Sequence, residues 1–249
     1  MGTEHNGPPI AVRDLRKSFG QQKVLDGIDL TVAPSETIAV LGSSGTGKSV
    51  LLKLLIGLQA CDSGSIRIQG EEVTTLAREE LGEIRKKIGF LFQQAALYDS
   101  LTVEVNVAFP LARHTGLTTE ELKERVHELL SNVAMEEHAA KLPSEISGGM
   151  QKRVGIARAL ALDPDILLFD EPTAGLDPIT AAEIGKLILR LKEERKMTSI
   201  VVTHDVRGTK FFSDRLVVLH EGHIVSEGTL EEVHRSQDKF VVQFLSEVA

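Results

Sequence analysis

The sequence predicts an α/β protein built around a largely parallel sheet. Three short and mostly apolar runs, at residues 38–41, 166–169 and 199–203, have the length of strands that are buried on both faces. A helical pattern at residues 181–195 lies between the last two runs. Because parallel strands need long crossover connections, buried strands that alternate with helices indicate this fold class.

Other patterns extend this prediction to the rest of the chain. Alternation of apolar and polar residues predicts strands at residues 28–32 and 66–68. Residues 216–219 and 223–225, separated by Glu221 and Gly222, are predicted to form a hairpin, so that antiparallel strands add to the edges of the sheet. Helical patterns occur at residues 48–58, 118–135 and 149–162. The first of these follows the run at residues 38–41, and residues 118–121 can form a capping box. The region from about residue 93 to residue 162 is therefore predicted to be a helical insertion.

Composition limits the class of protein. Of the 249 residues, 42% are hydrophobic and 26% are charged, as in soluble globular proteins, and 28 Lys and Arg against 36 Asp and Glu give a net charge of −8. This acidic balance argues against a nucleic-acid partner, although backbone N–H groups can still hold phosphates. Residues 1–9 are expected to be a flexible tail without the apolar stretch of a secretory signal. With no apolar run long enough to span a bilayer, we expect a cytoplasmic protein.

A phosphate-binding pattern lies between a predicted strand and a predicted helix. It reads G-x-x-x-x-G-K-[S/T] and consists of Gly42, Ser43, Ser44, Gly45, Thr46, Gly47, Lys48 and Ser49. Its glycines let backbone N–H groups surround phosphates, and the helix N-terminus favours negative charge. Lys48 would contact the β- and γ-phosphates, and Ser49 would ligate Mg²⁺. The alternative is an ordinary glycine turn.

Two carboxylates follow the predicted strand at residues 166–169. Asp170 would hold Mg²⁺ through its water shell, and Glu171 could polarise an attacking water as a general base. Such acidic pairs also occur as helix caps, and Pro172 could begin a helix. The functional interpretation depends on the phosphate loop, which these carboxylates would face.

Further polar residues stand at the ends of predicted elements. His204 follows the strand at residues 199–203, whose end should neighbour that of Asp170. Gln93 follows a strand at residues 88–92, where its side chain could reach the metal or a water. The run Ser147, Gly148 and Gly149 precedes a helix and could bind an anion, although a flexible turn is the alternative.

Together these segments resemble the nucleotide-binding subunit of ATP-binding cassette (ABC) transporters over about residues 10–235. The matching segments are the Walker A motif (42–49), the Q-loop (Gln93), the signature motif (146–150), the Walker B motif (166–171), the D-loop (174–177) and the switch histidine (His204). The resemblance implies a RecA-like P-loop NTPase core with an antiparallel β subdomain and an inserted α-helical subdomain, the ABC ATPase fold. The domain would span residues 10–240, followed by a C-terminal tail at 241–249.

The family also implies the ligands and the role of each residue. ATP and Mg²⁺ would be bound, with Glu171, His204 and Gln93 catalytic and with Ser49, Gln93 and Asp170 at the metal. Phe19 occupies the place of a tyrosine that stacks on adenine, and its ring preserves the aromatic face. Ser147, Gly148, Gly149 and Asp177 would contact the nucleotide held by a second copy, because each chain carries one phosphate loop and one signature.

The resemblance extends to a subfamily and its partners. Met150 stands where the family usually has Gln, and residues 147–154, 91–111 and 176–180 are similar to the ATPases of Mla/MCE phospholipid transport systems. Those systems move phospholipids between the two membranes of double-membraned bacteria. They imply an ATP-dependent homodimer on the cytoplasmic face of the inner membrane, permease subunits docked near Gln93, an MCE-type lipid-binding protein and a small regulatory subunit.

Three alternatives remain at this point. The same ATPase could drive another cargo, as in amino-acid or metal importers or in lipoprotein release. It could also be a soluble regulatory or assembly ATPase that binds a ribosome, DNA or a scaffold protein, which the acidic charge and the single cassette disfavour. The third alternative, a binding module without turnover, is disfavoured by the presence of Glu171 and His204.

Overall fold

The computed structural model describes residues 7–248, with side chains to residue 246. In this range the strands are β1 (Ile10–Phe19), β2 (Gln22–Val32), β3 (Thr37–Leu41), β4 (Ser63–Ile68), β5 (Glu71–Glu72), β6 (Ile88–Leu91), β7 (Ile166–Asp170), β8 (Thr198–Val202), β9 (Arg215–His220) and β10 (His223–Gly228). The helices are α1 (Lys48–Leu55), α2 (Arg78–Lys86), α3 (Val103–His114), α4 (Thr119–Ser131), α5 (Gly148–Ala159), α6 (Pro178–Arg195), α7 (Val206–Phe212), α8 (Leu230–His234) and α9 (Lys239–Val248). The first six residues of the predicted N-terminal tail lie outside the described range.

The main sheet has the order β10-β9-β3-β8-β7-β6. All neighbouring strands from β9 to β6 are parallel, and β10 is antiparallel to β9. This arrangement confirms the predicted α/β class. Because parallel strands end at the same edge, the loops that follow β3, β6, β7 and β8 lie together.

A second, antiparallel sheet has the order β2-β1-β4-β5. Its apolar side chains pack with α1 and with one face of the main sheet, where Ile38 and Val40 of β3 are fully buried. The predicted strands at residues 28–32 and 66–68 are parts of β2 and β4. The sheet thus supplies the predicted antiparallel subdomain and covers the helix that follows the phosphate loop.

Helices α3, α4 and α5 form the predicted helical region between β6 and β7. The predicted capping box is present: Thr118 accepts a hydrogen bond from the Glu121 N–H, and Glu121 accepts one from the Thr118 N–H. The apolar side chains of these helices join those of α6 and the opposite face of the main sheet in one cluster. Helix α5 is therefore fixed against the sheet near the ends of β6 and β7.

The segment predicted as a C-terminal tail contains most of α9. The predicted boundary after residue 240 falls inside this helix, whose Val241, Phe244 and Leu245 are buried against β3 and β9. Up to residue 246 the segment therefore packs on its own domain rather than extending from it. Among the described residues no helix has the length and apolar character to cross a membrane.

Candidate active site

The phosphate loop connects β3 to α1 in a conformation that requires glycine. Gly47 caps α1 with φ 97°, in the left-handed region. A Cβ atom at this position would lie 2.8 Å from Val24 Cγ1, and one at Gly42 would lie 2.4 Å from the carbonyl oxygen of Leu219. The backbone of the loop is thus closely backed by β2 and β9, while Ser43, Ser44 and Gly45 are exposed.

Lys48 begins α1 and is only 5% exposed. Its Nζ atom donates to the carbonyl oxygens of Gly42 and Ser43, both at 2.8 Å, and so closes the loop into a ring. Burial lowers the pKa of Lys48, while the nearby carboxylates of Glu171 and Asp170 oppose that shift. A cation is therefore held directly behind the exposed N–H groups that could face an anion.

The pair of Ser49 and Asp170 supplies oxygen ligands beside the loop. Ser49 Oγ donates to Asp170 Oδ1 at 2.7 Å, and Asp170 is 4% exposed. Burial raises the pKa of Asp170, and the hydrogen bond from Ser49 opposes this effect. Hydroxyl and carboxylate oxygens are the hard ligands that Mg²⁺ prefers, so these residues fit the predicted ion. Within residues 7–246, no group of three or more Asp, Glu, His and Cys side chains is arranged so that it could hold a metal ion.

Glu171 stands immediately after β7 in a strained conformation. Its φ is 48°, in the left-handed region, which costs about 1–3 kcal/mol for a residue other than glycine. Its N–H donates to the Val202 carbonyl at 2.9 Å, and its Oε2 atom lies 2.9 Å from Nδ1 of His204. The predicted proximity of His204 to the end of β7 is thus present. No helix begins at Pro172, because α6 begins at Pro178, so the alternative of a simple helix cap is wrong.

Sequence reasoning missed Lys152, which lies on the buried side of α5. Its side chain donates from Nζ to the main-chain oxygens of Gln93 and Glu171, the latter at 2.9 Å. Burial lowers its pKa to about 8, against the opposing effect of Asp170 and Glu171. The sequence signal was its helical spacing, since Lys152 follows the buried Gly149 by three residues and precedes the buried Ile156 by four.

Two other predicted residues lie at the rim of the site. Gln93 follows β6, and its side chain is exposed while its carbonyl accepts the bond from Lys152. Phe19 ends β1 and is 47% exposed, with Lys17 Nζ 5.1 Å from the centre of its ring. The metal contact of Gln93 and the adenine contact of Phe19 stay predictions.

The signature residues have different neighbours from the phosphate loop. Ser147 caps α5 by accepting the Met150 N–H at 3.3 Å, and a Cβ atom on Gly149 would lie 2.3 Å from Thr180 Cγ2. Asp177 caps α6, and its Oδ2 atom accepts the Thr180 hydroxyl at 2.6 Å. Ser147, Gly148 and Asp177 are exposed at these helix N-termini. The structure thus groups the signature with the D-loop, and the phosphate loop with the Walker B carboxylates.

Comparisons with known proteins agree with this architecture. The family described as ABC transporter matches residues 25–174. The chain is 41% identical over 236 residues to the intermembrane phospholipid transport system ATP-binding protein MlaF of Haemophilus influenzae, covering 95% of this chain and 89% of that protein. It is 42% identical over 240 residues to the probable ribonucleotide transport ATP-binding protein mkl of Mycobacterium tuberculosis, covering 96% and 67%.

A solved structure agrees as well. The ATP-binding cassette MJ0796, in a dimeric post-hydrolysis state bound to ADP and Pi, matches with a TM-score of 0.82 at 35% identity, covering 89% of this chain and 98% of that chain. The folds therefore agree over nearly the whole of that cassette. With its motifs in order on this fold, the chain belongs to the ABC transporter family as an ATP-binding subunit that hydrolyses ATP.

Proposed function

We propose that two copies of this chain bind ATP between them and that its hydrolysis drives a permease that moves phospholipids between the inner and outer membranes. The observation that carries the ATPase part is the pair of buried carboxylates beside the phosphate loop, of which Asp170 contacts Ser49 and Glu171 contacts His204. This arrangement supports the proposal that phosphate binding, metal binding and a general base share one edge of the sheet.

The cis half of the site would act on the chain's own nucleotide. Lys48 and the loop N–H groups would bind the β- and γ-phosphates, and Ser49, Asp170 and Gln93 would hold Mg²⁺. The chemistry that a bound Mg²⁺ would supply is neutralisation of the negative charge on the phosphates. These interactions place the terminal phosphate in front of the two carboxylates.

Glu171 would accept the proton of the attacking water. Glu171 is 8% exposed, and His204 orients its carboxylate. The His204 side chain is 57% exposed and can contact a bound nucleotide. Proton abstraction from water requires a base that is partly shielded from solvent and whose carboxylate is held in a fixed orientation. His204 thus orients the base and senses the terminal phosphate.

The trans half would come from the second copy. Ser147, Gly148 and Gly149 form the N-terminus of the 12-residue helix α5, where backbone N–H groups and the helix dipole favour an anion, and Ser147 and Gly148 are exposed there. Asp177 lies beside them at the start of α6. The γ-phosphate would then be neutralised from both sides, so that ATP holds the dimer together and hydrolysis releases it. The dimeric cassette with ADP and Pi supports this arrangement.

A groove beside the Q-loop would receive a cytoplasmic helix of the permease. It is a cavity of about 630 Å³ between β6, α3 and α5, lined among others by Phe90, Tyr98, Phe109 and Arg158. Tyr98 and Phe109 are both exposed, with ring centres 5.0 Å apart. Exposed aromatic side chains in a concave surface suit the apolar face of an amphipathic helix. The position next to Gln93 would couple nucleotide binding to this partner.

The phospholipid cargo rests on similarity to the H. influenzae transport protein and on the segments around Met150. An MCE-type lipid-binding protein and a small regulatory subunit would complete such a complex on the cytoplasmic face of the inner membrane. The second candidate cargo is a ribonucleotide, because the M. tuberculosis relative is named for ribonucleotide transport.

The cargo is tested by reconstituting the purified complex of this chain and its co-purifying permease in vesicles. We expect ATP to drive the movement of a fluorescent phospholipid, and the same complex with Glu171→Gln to show no such movement. Uptake of labelled ribonucleotide without phospholipid movement would favour the second cargo and contradict the first.

A further inference from the structure

The ammonium group of Lys152 has no role in the chemistry described so far. The residue is 5% exposed and lies one turn inside α5. A buried cation loses its hydration, so its place in a fold depends on the groups that it binds. Here those groups are the main-chain oxygens of Gln93, after β6, and Glu171, after β7.

Lys152 supplies one of four contacts that hold Glu171. The N–H of Glu171 donates to the Val202 carbonyl, its carboxylate contacts His204, and its carbonyl accepts Lys152 Nζ, all at 2.9 Å. The same carbonyl also accepts the Ala174 N–H, at the longer distance of 3.2 Å. The next residue is Pro172, so the peptide group after Glu171 has no N–H to anchor it. The carbonyl of this peptide group is therefore held by Lys152 and, at a longer distance, by the Ala174 N–H. Of the two, Lys152 provides the shorter and charged bond, next to a residue in the strained left-handed conformation.

We propose that Lys152 is a positioning residue for hydrolysis, which fixes the main chain of Glu171 so that its carboxylate stays beside His204. This inference rests on the proposed role of Glu171 as the base. Ser147 caps the same helix, α5, and would face the nucleotide of the second copy. The bond from Lys152 therefore connects this helix with Glu171, which would act on the chain's own nucleotide. Without the bond, the backbone after β7 can relax and the carboxylate loses its direction.

The first test is Lys152→Met, which keeps the length of the side chain and removes the donor. We expect kcat for ATP hydrolysis to fall at least about tenfold, because small misplacements of a catalytic group have effects of this size. The KM for ATP should stay within about twofold, since the phosphate loop is intact. Lys152→Gln keeps a neutral donor and should give an intermediate kcat.

A matched control is Lys192→Met. Lys192, near the end of α6, likewise donates to a main-chain oxygen, that of Phe212 at 3.1 Å, and in addition it pairs with the carboxylate of Asp214. This variant should keep the wild-type kcat. Thermal melting of each variant separates loss of folding from loss of catalysis. Where Lys152→Met does not fold, Lys152→Gln carries the test, and an unchanged kcat overturns the proposal.

The double variant separates positioning from structural damage. In a Glu171→Gln background, Lys152→Met should change the residual single-turnover rate by less than about twofold, because the lysine acts through the missing carboxylate. A second loss as large as that in the wild-type background would overturn the positioning role. Wild-type hydrolysis by Glu171→Gln alone would instead contradict the proposed function, so the two failures are distinguishable.

Discussion

The two halves of the proposed ATP site differ in how far one chain completes them. Lys48, Asp170 and Glu171 are at most 8% exposed and bind groups from several elements. Ser147 and Asp177 are exposed and bind groups in the first turns of their own helices. The cis half, with Lys48, Asp170 and Glu171, is therefore organised within a single chain. The trans half, with Ser147 and Asp177, consists of capped helix N-termini on an exposed surface that a second copy can reach.

The largest effect on activity is expected in the cis half of the site. Glu171→Gln removes the proton acceptor but keeps the shape of the side chain, so kcat should fall by roughly 100-fold or more. Phosphate release measures the loss, and binding of a fluorescent ATP analogue should be retained. Glu231→Gln, at an 83% exposed side chain on α8, is a control with wild-type activity. Equal rates for the two variants would remove Glu171 from its proposed role.

An intermediate effect, on stability, is expected in the trans half, where the start of α5 packs against the start of α6. Gly149→Ala places a Cβ atom 2.3 Å from Thr180 Cγ2, and such overpacking costs about 1–3 kcal/mol of unfolding free energy. Urea unfolding measures the loss. Thr180→Ser removes Cγ2 but keeps the hydroxyl that binds Asp177, so the double variant should recover most of the stability. Absence of recovery would show that the contact with Thr180 is not what requires glycine at this position.

The smallest effect concerns Asp177 and its pH dependence. Hydrogen bonds, led by that from the Thr180 side chain, lower the pKa of Asp177. A carboxyl group whose pKa is lower in the folded than in the unfolded state stabilises the fold at pH values above its ordinary pKa. This stabilisation is lost as the pH falls through the pKa of the folded state. Wild type should thus lose slightly more stability than Asp177→Asn between about pH 6 and about pH 3. Parallel stability curves for the two proteins would contradict this account.

The cis half of the site was largely predictable because its residues directly follow apolar runs in the sequence. The apolar runs of β3, β7 and β8 lead directly into the phosphate loop, the two carboxylates and His204. Parallel pairing then brings these ends together without further information. What the pattern could not give is the left-handed backbone of Glu171, which depends on contacts with other strands.

Other parts were missed for physical reasons that concern particular residues. Strand β1 was not predicted because shifts in its pairing register between Val12 and Leu15 interrupt the alternation of apolar residues. Helix α3 contains Pro110 in its interior and several β-branched valines, both unfavourable in helices. Lys152 was missed because a lysine in a helix is usually solvated, and its burial depends on two distant carbonyl groups.

The most direct measurement of the central claim is the mass of Glu171→Gln in solution, with and without Mg-ATP. The account predicts a monomer without nucleotide and a dimer that retains two ATP molecules when Mg-ATP is present. Adding Ser147→Arg, at an exposed cap on the trans half, should keep ATP binding and prevent the dimer. A Glu171→Gln protein that binds ATP and stays monomeric, or a dimer that is indifferent to Ser147→Arg, would contradict a site shared between two copies.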